Sequence, residues 1–158
     1  MTFLIHALPR ERFELLFGVA DDELVLKGVR RMRAHASPGY PCRVSLQDAA
    51  VGETVLLMNY EHQPAPTPYR AAHAIFVREQ AVQARPGPGE VPEAIARRLL
   101  SVRAFDAGHM LVTADVIEGR DLKRQLDAML ATPDVAYIHL HHAKQGCYAA
   151  RVERVGAP

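Results

Sequence analysis

The sequence predicts an α+β fold with one largely antiparallel mixed sheet of about seven strands, about three short helices and a closing β-hairpin. Three observations support this prediction. Short apolar segments recur along the chain, separated by turns rich in Pro and Gly. One amphipathic helix is clear at Asp121–Leu130. After it, Val135–Arg154 shows the alternation and central turn of a β-hairpin.

The N-terminal third should contain two strands and at least one helix. Thr2–Leu8 is apolar enough for a strand, and Pro9 suits the first turn of a short helix that ends at Gly18. Asp21–Lys27 fits either a helix or a strand. Val29–Ala34 is typical of an exposed strand.

The next segments predict a strand, a turn and a buried strand. Ser37–Pro41 breaks the chain, and Cys42–Leu46 alternates as on a half-buried strand. Gly52 is the expected positive-φ position of the following turn. Thr54–Asn59 is almost continuously apolar and predicts a central strand buried on both faces. Glu61–Arg70 contains three alternating prolines, so we expect an extended loop.

The second half should supply three more strands before the hairpin. His73–Glu79 predicts a strand, and Pro92 opens a short helix after a Pro- and Gly-rich loop. Val102–Phe105 and Met110–Ile117 predict two strands joined by a tight connection. Leu122, Leu126, Met129 and Leu130 then give the Asp121–Leu130 helix its apolar face.

Composition indicates an ordinary globular protein. The 158 residues suit a single domain over 1–158, with 49% hydrophobic residues and a formal net charge of +1. This balance gives no argument for a nucleic-acid or membrane partner. We see no signal peptide and no membrane span, and two distant cysteines without a secretion signal favour a cytoplasmic protein.

The closing hairpin concentrates reactive side chains. Strand periodicity places His139 and His141 on one face and His142 on the other. Two histidines at i and i+2 can share a metal, so His139 and His141 are the ligands if any metal binds. No spacing identifies a further ligand, and half-buried hydrogen-bonded histidines are the alternative. The candidates for a third ligand are His62, His73, Asp106 and His109.

The turn of the hairpin decides which face receives the thiol. If His141 faces Tyr148, then Ala150 faces His139 and Cys147 lies on the opposite side with His142. If His141 faces Cys147, the thiol joins the histidine face. Cys147 is a candidate nucleophile with a histidine as its base, although a small buried side chain is the commoner role.

The proline-rich loop is a candidate wall for a small-molecule site. Tyr69 could line it and Arg70 could hold a carboxylate or phosphate, with a plain surface loop as the alternative. Arg103 is a second candidate for holding an anion, and Tyr148 is a further candidate contact. His62, His139 and His141 are the candidate proton carriers. The sequence specifies no cofactor.

Four segments of the chain resemble a known family: PGYPCRVSLQDAAVGETVLLMNYEH, PYRAAHAIFVRE, VRAFDAGHMLVTADVIEG and VAYIHLHHAKQGCYAARVER. The family consists of small bacterial proteins and is catalogued only as a domain of unknown function. The resemblance runs from about Gly39 to Arg154 and implies a small bacterial cytoplasmic protein, with no activity, cofactor or substrate. The matching residues include Cys42, Arg43, Asp48, His62, Tyr69, Arg70, Arg103, Asp106, His139, Gly146, Cys147 and Tyr148.

These observations leave three functional hypotheses. The first is an enzyme or binding protein for a small anionic metabolite, in a cleft between the hairpin and the proline-rich loop. The second is a metal-binding protein that uses His139 and His141. The third is a non-enzymatic oligomeric or interaction module, which includes a homodimer. The sequence alone does not decide whether the protein is an enzyme.

Overall fold

The computed structural model describes residues 2–156, which form eight strands and four α-helices. The strands are β1 (Phe3–His6), β2 (Arg30–Arg33), β3 (Thr54–Gln63), β4 (Ala71–Arg78), β5 (Leu99–Phe105), β6 (Leu111–Glu118), β7 (Tyr137–His142) and β8 (Tyr148–Arg154). The helices are α1 (Glu14–Phe17), α2 (Asp21–Leu26), α3 (Glu93–Ala96) and α4 (Leu122–Leu130), with short 3-10 turns at Arg10–Arg12 and Gly119–Asp121. None of the described helices is both long and apolar enough to cross a bilayer.

The strands form two antiparallel sheets. The large sheet has the order β1-β8-β7-β5-β6, and the small sheet has the order β2-β3-β4. Every pair of named strands is antiparallel. The predicted α+β class is therefore confirmed, with the strands divided between two sheets.

Strand β7 is covered on both faces. Its Ile138 and Leu140 pack with Leu122 and Leu126 of α4 in the main core. A second core joins the small sheet to the hairpin, because Leu56, Met58, Ile75 and Val77 cluster with Tyr148. All six residues of β7 are buried as a result. Polar side chains on this strand must therefore find their partners inside the protein.

Residues Cys42–Leu46 are not the strand that their alternation predicts. The Leu46 N–H donates to the Cys42 carbonyl at 3.0 Å, and Leu46 has a φ of 51°. All five residues of this turn are buried, including Arg43. The alternation is therefore not that of a half-buried strand, since both the apolar and the polar positions face inward.

The loop predicted at Glu61–Arg70 begins later than expected. Glu61, His62 and Gln63 still belong to β3, which runs ten residues to Gln63. The prolines end the strand only from Pro64 onward. This extension is what brings His62 to the large sheet.

Asp21–Lys27, which the sequence left open between a helix and a strand, contains α2. This helix has three acidic residues in its first turn.

Gly119, between β6 and α4, lies against the backbone of the α3 region. A Cβ at this position would lie 2.5 Å from the Ile95 carbonyl oxygen and 2.6 Å from those of Ala96 and Arg98. The Gly119 N–H donates to the Arg98 carbonyl at 2.8 Å. Only glycine permits this close approach, which connects α3 to the start of α4.

We predict that Gly119→Ala lowers the free energy of unfolding by about 1–3 kcal/mol, the usual cost of overpacking. The backbone oxygens cannot move aside as a flexible side chain would. Gly18→Ala is the matched control, because a Cβ there meets nothing within 4 Å. Urea unfolding followed by circular dichroism measures both variants. Equal stabilities of the two variants would contradict the packing described for Gly119.

Candidate metal centre

Three histidines from two sheets meet between those sheets. His139 and His141 lie on one face of β7, and His62 approaches them from β3. One ligand nitrogen from each of the three rings lies within 4.8 Å of the others. Of the four third-ligand candidates from the sequence, His62 is the one that the fold brings to the His139–His141 pair.

The rings meet edge to face and do not stack on one another. The ring centroids of His62 and His141 are 4.9 Å apart at an interplanar angle of 82°. His62 and His139 are 6.0 Å apart at 74°. This arrangement is compatible with the approach of one ligand nitrogen from each ring to within 4.8 Å of the others.

A β-bulge accompanies His62. Glu61 pairs with Ala72 and Gln63 with Ala71, so the register of β3 and β4 shifts across His62. A bulge bends the strand locally and redirects a side chain. It lies where β3 delivers the third histidine to the cluster.

A second bulge sets the register of the final hairpin. His141 pairs with Tyr148, while His139 pairs with Arg151 because the register shifts between Leu140 and His141. The prediction that a Tyr148–His141 pair would place Ala150 opposite His139 is therefore wrong. The extra residue in β8 brings Arg151 opposite His139.

Tyr148 forms one wall of the cluster. Its ring stacks on His62 with centroids 5.3 Å apart and planes 8° apart. It also meets His139 and His141 edge to face at 5.3 and 6.0 Å. Burial raises the pKa of Tyr148 well above its ordinary value, so the phenol stays neutral.

The hairpin turn orients His141. The Nδ1 atom of His141 is 3.0 Å from the carbonyl oxygen of Gly146, so this Nδ1 carries the proton and donates it. Gly146 has a φ of 76°, a conformation that glycine adopts without strain. The lone pair of His141 is therefore on Nε2. A backbone carbonyl on one ring nitrogen is the common arrangement for a histidine that binds metal through the other.

The other two histidines have buried nitrogens without partners. Within residues 2–156, neither the Nδ1 of His62 nor that of His139 has a hydrogen-bond partner. A buried polar atom without a partner costs about 1–3 kcal/mol. Coordination through such a nitrogen would give it one.

All three histidines are neutral at physiological pH. Burial, with the charge of Arg103 as the next cause, lowers the pKa of His62 from 6.5 to about 4. Burial lowers the pKa of His139 and of His141 to about 3. Neutral imidazole is the form that binds a metal ion.

Two cations lie beside the cluster. Arg103 of β5 pairs with His139 across the sheet and so shares its face, and its Nε donates to the Ser101 hydroxyl at 3.0 Å. The Arg151 guanidinium lies 3.8 Å from the centroid of the Tyr137 ring, and its Nε donates to Glu153 at 2.8 Å. A positive potential at this face would attract anions.

A chain of hydrogen bonds through Gln63, Tyr137 and His109 lies next to His139. Gln63 donates through Nε2 to the Tyr137 hydroxyl at 2.8 Å, and this hydroxyl donates to Nδ1 of His109, also at 2.8 Å. The Tyr137 ring centroid is 5.2 Å from that of His139. His109 therefore has its Nδ1 engaged by Tyr137 and lies outside the cluster of three histidines.

Tyr69 of the proline-rich loop contacts the histidine cluster only through Phe105. The Tyr69 ring meets Phe105 edge to face at 6.0 Å, and Phe105 in turn lies 5.3 Å from His139. Arg70 forms an exposed ion pair with Glu61 at 3.1 Å. Of the two arginines that could hold an anion, Arg70 and Arg103, it is Arg103 that lies beside the histidines. Asp106 accepts a hydrogen bond from the Met110 N–H within its own turn.

Cys147 lies away from the three histidines. It lines a separate pocket with His142 and His73, at the turn of the hairpin. Its Sγ accepts a hydrogen bond from Nη2 of Arg43 at 3.0 Å. Arg43 is 1% exposed, and the alternation of Cys42–Leu46 had not marked it as a buried residue. The sequence singles out Arg43 only among the residues that carry the family resemblance.

The fold and the cluster together define an α+β protein with a three-histidine centre between two antiparallel sheets. The chain belongs to the family described as Protein of unknown function (DUF1203), whose model matches residues 39–154. This confirms the resemblance seen in the sequence, and the match contains all three histidines. Neither a curated protein nor a solved structure matches the chain.

The buried histidines predict how stability depends on pH in the metal-free protein. Burial lowers the pKa of His142 to about 3, as for His139 and His141. The ordinary pKa of histidine is 6.5. As the pH falls below this value, these histidines become protonated in the unfolded chain but stay neutral in the folded state. The free energy of unfolding should therefore fall between pH 6.5 and 4, by up to about 1.4 kcal/mol per pH unit for each such proton.

Urea unfolding at a series of pH values measures this effect. His139→Gln should reduce the slope by the contribution of one proton, and the exposed His6→Gln serves as the control. A slope that is unchanged in His139→Gln would contradict the assignment of a buried, neutral His139.

Proposed function

We propose that this protein binds one divalent transition-metal ion through His62, His139 and His141, with zinc as the expected ion. The observation that carries the proposal is the approach of three ring nitrogens to within 4.8 Å of one another. Imidazole suits zinc, copper, nickel and iron, and the cluster contains no carboxylate that would favour magnesium or calcium.

The state of the three rings supports metal binding over proton transfer. A general acid or base works best with a pKa near the working pH. The pKa of His62 is about 4 and those of His139 and His141 are about 3. Such groups exchange protons poorly near neutral pH but offer lone pairs to a metal. The first hypothesis, with these histidines as proton carriers, is less well supported for that reason.

Three protein ligands leave a fourth position for water or another ligand. This is the composition of catalytic zinc sites, whereas structural sites use four protein ligands. Bound zinc lowers the pKa of its water to about 7. Arg103 lies on the same face as His139 and would favour an anionic fourth ligand. We therefore infer that the centre belongs to the catalytic type, with anions as the preferred incoming ligands.

Metal content and affinity test the proposal directly. Protein prepared without a His tag should contain about one zinc or similar ion per chain by elemental analysis. His62→Ala and His139→Ala should each lower the affinity at least about 100-fold, since loss of an outer partner alone costs 10–100-fold. Competition with a chromogenic chelator measures these affinities.

His6→Ala is the matched control, because His6 is an exposed histidine of the edge strand β1 that pairs with Glu153 of β8. It should retain wild-type affinity. His62 is only partly buried, so His62→Ala is the variant expected to keep the fold, which circular dichroism checks. No stoichiometric metal in the wild type, or equal affinities for His62→Ala and His6→Ala, would sink the proposal.

A further inference from the structure

A second pocket lies at the turn of the hairpin, and none of the three histidines lines it. It has a volume of about 440 Å³ and lies between residues 38–43, β4 and the turn of the hairpin. This volume is within the range of small-molecule sites. Pro41, Leu57 and Phe76 provide apolar lining, and no Asp or Glu lines it. The pocket therefore combines apolar walls with a lining that contains no acidic side chain.

Arg43 supplies a buried positive charge to this pocket. Its Nε donates to the Tyr148 carbonyl at 2.7 Å, its Nη1 to the Pro41 carbonyl and its Nη2 to Sγ of Cys147 at 3.0 Å. Among the described residues Arg43 forms no ion pair. A guanidinium has five N–H groups, so two remain beyond these three bonds. A buried cation of this kind is stabilised by an anion.

His142 adds a second unsatisfied group to the same pocket. His142 is 4% exposed, and its Nδ1 has no hydrogen-bond partner within residues 2–156. His142 lines the pocket, because it lies on the opposite face of β7 from His139 and His141. The unpartnered nitrogen could bond to a ligand in the pocket.

The remaining cations differ in what they can offer. Arg98 is engaged by Asp48, with Nη1 3.0 Å from Oδ2, so its charge is compensated. Lys144 is exposed in the hairpin turn, lines the pocket and forms no ion pair among the described residues. Lys144 can therefore approach, from the solvent side, an anion that is bound to the buried Arg43.

We propose that this pocket binds a small organic oxyanion, a carboxylate or a phosphate monoester with an apolar group attached. The oxyanion would receive N–H groups from Arg43, with Lys144 at the rim and His142 beside it. Carboxylate and phosphate groups both suit the guanidinium fork, and the apolar group would lie against Phe76 and Leu57. The site is distinct from the metal centre and does not depend on it.

Amide NMR spectra of the zinc-loaded and the chelator-treated protein test this proposal. The probes are benzoate, phenyl phosphate and the neutral benzyl alcohol, each at millimolar concentration. Either anion, or both, should shift the amides of Arg43, Lys144 and Cys147 in both forms of the protein. A response to one anion alone supports the proposal and identifies the preferred headgroup.

Three results would overturn it: no saturable shifts with either anion, equal shifts with benzyl alcohol, or shifts that require zinc. The last would assign the anion to the metal centre, so failure here is distinguishable from failure of the proposed function.

Variants sharpen the same test. Lys144→Ala should weaken binding about threefold, as expected for one exposed charge, while Lys123→Ala on α4 should leave it unchanged. Arg43→Met should abolish binding; should that variant fail to fold, the Lys144 and Lys123 comparison decides. Equal affinities for the two lysine variants would contradict the assigned position of the anion.

Discussion

The burial of β7 on both faces is the constraint on which the rest of this structure depends. One face packs on α4, and the other faces the small sheet through Tyr148 and the three histidines. A strand in this position is normally apolar, yet β7 carries His139, His141 and His142. Their burial keeps the rings neutral and demands partners for their nitrogens. Gly146 satisfies one nitrogen of His141. The nitrogens of His139 and His142 that find no partner among residues 2–156 are the strongest sign that ligands complete the structure.

The hairpin turn connects the two sites that result. The Gly146 carbonyl orients His141 toward the metal centre. The next two residues hold Arg43, through Sγ of Cys147 and the carbonyl of Tyr148. Arg43 in turn holds residues 41–43 against the hairpin, so the same turn contributes both to the histidine cluster and to the cationic pocket. The two sites are thus neighbours in structure while differing in chemistry, one made of neutral nitrogen ligands and the other of uncompensated positive charge.

Strand periodicity was enough to predict the α+β class, α4 and the separation of His139 and His141 from His142, because these follow from local apolar patterns. Periodicity also predicted that His139 and His141 could bind one metal ion together. His62 was one of four candidates for the third ligand. The choice of His62 depends on β3 continuing to Gln63 and on a bulge at Glu61–Gln63, both of which are tertiary features. The bulge that places Arg151 opposite His139 has no local signature either. Arg43 was named only through the family resemblance, and its burial was missed, because the partners that hold a buried arginine in a turn have no local pattern.

X-ray absorption spectroscopy of the zinc-loaded wild-type protein tests the central claim most directly, because it counts and identifies the atoms bound to the metal. A zinc ion held by His62, His139 and His141 should show three imidazole nitrogens at about 2.0–2.1 Å, with one or two further light atoms and no sulfur. A sulfur scatterer at about 2.3 Å would place the metal on Cys42 or Cys147. That result, or fewer than three imidazoles, would contradict a centre built from His62, His139 and His141.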